Sequence, residues 1–265
     1  MRYAWIRTRD IDFSTAISAA YNENKIDKID YSPTDALSMM RYPTSNYLQG
    51  DAYNSLYAYK YAGLTETGNP LVYNQNGEVV SINPVRNIGA VVCVGQLTPK
   101  WNGALNIDFR WKDLSVYAKA VCYAGHSLRV DVPTLYDSNN KILGGNVNEA
   151  ITDRWTPDNT GATVPVMGIH GDSGERNEHW KYADVNTASA SFVKLRNIGV
   201  SYSFPANLLK KTRVFKSAQV RFQIDNLCYW AANRHGIDPE AFSANSGLRL
   251  DQQKPTYTFG LNFNL

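Results

Sequence analysis

The sequence has no apolar run approaching 18 residues, which excludes a transmembrane helix. It is poor in charge: Asp, Glu, Lys and Arg make up 19% of residues, against about 25% in an average soluble domain. The net charge of +3 is too small to imply a nucleic-acid partner. Cysteine is sparse. Cys93, Cys122 and Cys228 lie far apart with no Cys-x-x-Cys or Cys–His spacing, so they read as small apolar residues of a sheet and no metal site is expected. No Gly-x-Ser-x-Gly elbow and no His-Glu-x-x-His helix occur. His170 and His179 flank "GDSGERNE", which offers Asp172, Ser173 and Glu175, but a glycine-rich loop lacks the rigid frame a catalytic triad or metal centre requires. Neither an enzyme nor a cofactor is expected. Helical periodicity is nearly missing, with "NLLKKTRVFK", Asn207 to Lys216, the best short helix or turn. Met1 leads straight into strand-like sequence without the basic, apolar and cleavage regions of a signal peptide, so the chain as written carries no export signal.

What is present is alternation and tyrosine. The 265 residues include 17 Tyr, and 12% of the chain is aromatic. Tyrosine suits strands, and it suits the girdles at a membrane interface. Phe13, Thr15, Ile17, Ala19 and Tyr21 alternate with small polar or alanine residues. Tyr53, Tyr57, Tyr59 and Tyr61 share one parity. "WNGALNIDFRW" sets Leu105, Ile107, Phe109 and Trp111 against Asn106, Asp108 and Arg110, and after Lys112-Asp113 "LSVYAKAVCYA" continues the pattern as a long hairpin. Ile198, Val200, Tyr202 and Phe204 share a face, as do Val220, Phe222 and Ile224 opposite Gln219, Arg221, Gln223 and Asp225. The last segment, Thr256 to Leu265, alternates over ten residues. That exceeds the usual strand of about 5–6 residues and matches the roughly 9–11 that a tilted strand needs to cross a bilayer. Between Asp30 and Gly95 the alternation is too broken to set strand boundaries.

Two-faced strands fit a soluble sandwich and a transmembrane barrel equally. Connection lengths separate them. Lys112-Asp113 and residues 205–218 are short to moderate, whereas residues 131–190 and 229–254 are long and irregular. A compact soluble domain rarely carries such stretches without function. Short turns at one end and long loops at the other is the outer-membrane barrel arrangement.

Several segments, in order, resemble one family. "YKYAGLTETGNPLVYNQNGEV", "VGQLTPKWNGALNIDFRWKDLSVYA", "DRWTPDNTGATVP", "SFVKLRNIGVSYSFP", "VRFQIDNLCYW", "GIDPE" and "PTYTFGLNFNL" are similar to the C-terminal part of the SusC/RagA-type TonB-linked (TonB-dependent) outer-membrane transporters. Departures are Lys112-Asp113 for the usual Lys-Gly, Cys228 where Phe is common, and Leu265 where an aromatic usually closes the chain. The resemblance implies an all-β fold: residues 1–265 as the C-terminal segment of a large antiparallel transmembrane β-barrel, roughly eight strands of about 22. The plug and N-terminal strands lie outside it, 131–190 is a long extracellular loop, and 256–265 is the closing strand. It implies a multi-pass β-barrel in the outer membrane of a Gram-negative cell, importing glycans or peptides. A SusD-like lipoprotein would act as lid, and the TonB complex would act through the absent N-terminal part. The segment alone would perform no transport. Tyr257, Phe259, Leu261, Phe263 and Leu265 would form the signal read by the barrel-assembly machinery. Membrane lipid would meet Leu105, Ile107, Phe109, Ile198, Val200, Tyr202, Val220, Phe222 and Ile224.

Candidate ligand contacts are the loop aromatics Trp155, Trp180, Tyr182, Tyr229 and Trp230, whose flat rings can stack on sugars. Asp153, Asp158, Asn159 and Asn233 are near them in sequence and could bond hydroxyls. The same rings equally suit loop packing or the membrane interface. Asp238 and Glu240 around Pro239 suggest a cation site or, better, an ordered turn. Two other readings stand beside transport: a soluble or surface glycan-binding β-sandwich, and a gene fragment with no function.

Overall fold

The computed structural model describes residues 1–81, 85–133, 148–167, 178–211 and 214–264. Its frame is a single sheet of seven strands. They are β1 (Arg2–Arg7), β2 (Ile11–Tyr21), β3 (Trp101–Trp111), β4 (Leu114–Ala124), β5 (Phe192–Ser203), β6 (Ser217–Ala231) and β7 (Thr256–Asn264). Their order in the sheet is their order in the chain, and every neighbouring pair is antiparallel. The sheet is open: β1 and β7 are its two edges. Among the described residues the wall has seven strands, against the roughly eight expected.

Period-two alternation puts most apolar residues of these strands on one face, with Val121 and Phe192 on the other near the inserts. Cross-strand partners run Phe13–Phe109–Val116–Val200–Phe222–Phe259 and Ile17–Leu105–Ala120 along that face. The opposite face carries Asn106, Asp108, Lys119, Arg221, Gln223 and Asp225. A bulge at Arg196 opposes Asn226–Leu227, where Asn226 takes φ +54, and it re-phases β5. Val193 and Leu195 thus share a face with Ile198, Val200 and Tyr202, although their sequence parity differs.

The apolar face is bare. Tyr257 and Phe259 are each 65% exposed and Phe263 is 56% exposed. Buried apolar clusters lie instead in the long connections. Strand pairs meet through Thr8–Asp10, Lys112–Asp113 and residues 204–216 at one end. At the other end stand three inserts, residues 22–100, 125–191 and 232–255. The inserts have their own structure. Ser55–Tyr59 pairs with Val91–Gln96, burying Tyr57 and Tyr59, while Tyr53 stays in a turn before it and Tyr61 begins the next strand. A short helix, Ala36–Arg41, is capped by Asp35, whose carboxylate accepts from the Ser38 amide. In the second insert, Ser127–Arg129 pairs with Thr187–Ser189, closing the base of the long loop. At the short-turn end, Ala206–Leu209 forms one helical turn that overlaps the start of the segment read as helix or turn.

Candidate functional site

The inserts are joined by buried contacts. The first cluster gathers Ala36, Leu37, Met39, Met40, Tyr57 and Tyr59 with Tyr182 of the second insert. A second gathers Leu128, Val130 and Ala190 with Ile237 and Phe242 of the third. Arg129 sits where all three meet, with no exposed surface. Its guanidinium donates to the Tyr57 carbonyl at 2.8 Å and to the Asn245 carbonyl at 3.3 Å, and lies 4.5 Å from the centre of the Tyr182 ring. Burial pulls its pKa down to about 10, so it stays charged at neutral pH. No carboxylate touches it, and Nη1 has no hydrogen-bond partner among the described residues. Two carbonyls and a ring face offset only part of the cost of that buried charge.

The third insert is also fixed to the wall. Lys194 of β5, 2% exposed, donates to Glu240 at 2.8 Å and lies 3.5 Å from Asp238. Arg196, the bulge residue, forms a second ion pair with Glu240. Burial pushes the Glu240 carboxyl upward, but hydrogen bonds from Arg196 and Lys194 outweigh it and hold the pKa below the ordinary value. Asp238 caps the 3-10 turn Pro239–Ala241 through the Glu240 amide. The turn reading of "DPE" fits this geometry, and the cations it meets are the chain's own. Asp131 accepts a two-point ion pair from Arg249 and a hydrogen bond from Asn148, linking the second and third inserts. Beside it opens a cleft of about 910 Å³ lined by Glu149, Asp153, His235 and Leu248.

The aromatic candidates fall in different settings. Trp155 is half-buried and lies against Gly68. A Cβ there would come within 2.5 Å of the indole, and Gly68 takes φ +78. Trp180 and Tyr182 are 7% and 4% exposed, packed against Tyr61 and Arg129 respectively, so neither presents a free ring to a ligand. Tyr229 pairs with Lys194 on the polar face. Trp230 is 61% exposed on the apolar face at the insert end. Asp158 and Asn159 are exposed, and Asp153 lines the cleft. Asn233 is engaged in its own turn, accepting from the His235 and Ile237 amides. His179 is buried, its ring nitrogens meeting the Ser81 carbonyl and the Val85 amide. His170, Asp172, Ser173, Glu175 and Leu265 lie outside the described residues. Among those described, no three His, Cys, Asp or Glu side chains are placed to hold a metal ion.

On the sheet's polar face Gly199 leaves room for Tyr117 to cross β5 and donate to Gln223 of β6 at 2.5 Å. Sequence reasoning singles out neither this bridge nor Arg129 nor Lys194. An isolated glycine inside an alternating strand is the one available signal.

No family model matches the chain. Over 97% of its length it is 25% identical to TonB-dependent receptor P3 of Formosa agariphila, of which it spans 27%. Its fold matches chains of the RagAB peptide importer in the open-open state (TM-score 0.70, 20% identity, 100% of this chain and 28% of that one). It also matches the closed-closed state (TM-score 0.72, 20% identity, 99% and 28%) and the RagAB peptide transporter (TM-score 0.73, 21% identity, 99% and 28%). These likenesses show the fold: an open stretch of antiparallel barrel wall with its inserts. The resemblance drawn from the ordered sequence segments meets the same proteins, which are a receptor and importers rather than enzymes.

Proposed function

We propose that this chain, by sequence and fold a stretch of TonB-dependent receptor, forms barrel wall and external inserts of an outer-membrane importer of nutrient oligomers. One observation carries the reading. The sheet's apolar face is bare and bordered by aromatic rings at both ends, while its other face is polar. Tyr21, Trp101 and Trp230 border it at the insert end, and Trp111, Tyr202 and Phe263 at the turn end. The 11 residues from Trp101 to Trp111 span about 34 Å from first to last along the strand. At a tilt of 35–45° that is a height of about 24–28 Å, the size of a barrel's apolar band. A glycan-binding sandwich would need a second sheet over this face, and the buried apolar clusters lie in the inserts instead.

On this reading the apolar face, including Leu105, Ile107, Phe109, Ile198, Val200, Tyr202, Val220, Phe222 and Ile224, meets lipid. The inserts face the outside, where a SusD-type lipoprotein would cover them. Cargo would be peptides or glycans. TonB coupling would act through a plug outside these residues, so the segment performs no transport step by itself. The β7 face of Tyr257, Phe259, Leu261 and Phe263 would engage the assembly machinery. Of the loop aromatics, Trp155 and Tyr229 are the rings left with surface toward the inserts and the polar face.

Extraction of native membranes tests the reading. The protein should stay in the pellet through carbonate and high salt and be released by detergent. Release by salt or carbonate would overturn it.

A further inference from the structure

The turn end of the sheet carries a rim of cations that form no ion pair among the described residues. Among the described residues Arg7, Arg9, Lys112, Lys210, Lys211 and Lys216 are all exposed there, against Asp10 and Asp113 in the turns and Asp12, which faces Arg7 across β1 and β2. None of the six has a carboxylate within 4.0 Å among the described residues. The ion pairs lie instead in the inserts, on the polar face and at the insert end of the wall, as with Lys100–Glu23, Arg41–Glu178 and Arg249–Asp131. Lys112 shows which way the rim points. Its ammonium lies 6.0 Å from the centre of the Trp111 ring, on the bare apolar side. Lys112 also takes φ +51, a conformation in which Gly or Asn is less strained, yet lysine occupies it. Trp111, Tyr202, Phe204 and Leu208, 36–55% exposed, border the cations with apolar surface.

A row of aromatic rings edged by these lysines is complementary to a headgroup region of negative charge. We infer that this rim binds the headgroups of anionic phospholipid in the leaflet that meets the short turns. The inference rests on the barrel-wall reading, in which short turns face the periplasm. Each Lys or Arg at an anionic surface shifts the equilibrium about fivefold at physiological ionic strength, and the attraction is lost within a Debye length of about 8 Å. The site is therefore confined to the turns and independent of the inserts.

The test uses the full-length protein that contains this chain, reconstituted in neutral phosphatidylcholine vesicles doped with brominated phosphatidylglycerol or brominated phosphatidylcholine. Quenching of tryptophan fluorescence reads the relative binding of the two headgroups. Wild type should prefer phosphatidylglycerol by about tenfold or more, the preference should shrink in high salt, and the variant K112Q/K210Q/K211Q/K216Q should lose it with reconstitution yield unchanged. A second variant, K210Q/K211Q/K216Q, leaves the β3–β4 hairpin intact and should lose most of it. Equal preference in wild type and both variants overturns the proposal. So does binding of soluble polyglutamate in neutral vesicles without any headgroup preference, which would assign the rim to an acidic polypeptide. A protein that enters neither kind of vesicle overturns the barrel-wall reading and this one with it, whereas normal insertion without headgroup preference overturns this one alone.

Discussion

Gly199 has no side chain, and the Tyr117 ring fills the space one would occupy. A Cβ at this position would lie 2.4 Å from the ring. Gly199→Ala should therefore displace Tyr117 and break its bond to Gln223, lowering unfolding stability by about 1–2 kcal/mol. Removing the ring as well, in Gly199→Ala/Tyr117→Ala, should cost less than the two single changes together, a coupling that denaturant titration of a double-mutant cycle measures. Arg129→Ala should leave the Tyr57 and Asn245 carbonyls unpaired, at about 1–3 kcal/mol each. Its expected signature is faster hydrogen exchange in the inserts with the strands unchanged. Uniform acceleration across the molecule would mean that Arg129 does not join the inserts specifically. Glu240 supplies a pH test. Its folded pKa lies below the ordinary 4.5, so its contribution is complete above that value and is lost as pH falls through the depressed one. Protease cleavage of residues 232–255 should accelerate on acidification below 4.5, and Glu240→Gln should abolish that change. Glu240 is legible in the sequence as part of a turn and Gly199 as an isolated glycine, but Tyr117 and Arg129 do not announce themselves. "SLRV" around Arg129 looks like any strand, because its burial is created by Tyr57, Tyr182 and Asn245, which are remote along the chain. The same long-range packing draws Trp180 and Tyr182 inward.

Strands are the most legible elements, because an alternating pattern is local and needs only a sheet with two different surroundings. Thr256–Asn264, the β3–β4 hairpin and the lengths of the connections are all readable in the order of the amino acids. Two features are not. The Arg196 bulge shifts the phase of β5, and a one-residue insertion is invisible without the partner strand. The pairing of β2 with β3 spans an insert of nearly eighty residues, and only hydrogen bonding across the sheet reveals it. The face assignment yields a direct contrast between neighbours on β6. Phe222 lies on the apolar face opposite Val200 and Phe259, and Gln223 on the polar face opposite Gly199 and Thr258. Phe222→Arg should sharply reduce outer-membrane yield, since arginine at the midplane of a barrel's lipid face costs roughly 2–4 kcal/mol. Gln223→Arg should be tolerated far better, because its head reaches water. Equal yields for the two variants, read by blotting the outer-membrane fraction, would reverse or abolish the assignment.

The whole sheet has a property that no single strand has. Because seven strands follow one another in strictly antiparallel order, β1 and β7 run in the same direction. They cannot close on each other with the antiparallel ladder used everywhere else in the sheet. In hydrocarbon an unclosed edge leaves backbone N–H and C=O groups without partners, a cost that only complete pairing removes. An even-numbered antiparallel barrel built on this sheet therefore requires an odd number of additional strands between β7 and β1. Cysteine pairs in the native protein distinguish the arrangements. Phe222→Cys with Phe259→Cys places two thiols on directly opposed residues of β6 and β7, and should crosslink under mild oxidation in membranes. Tyr3→Cys with Phe259→Cys joins the two edges and should not crosslink, because the intervening strands hold them apart. Efficient bonding in that second pair would mean that β1 and β7 touch, and the sheet would then be a small self-closed barrel rather than an arc of a larger one.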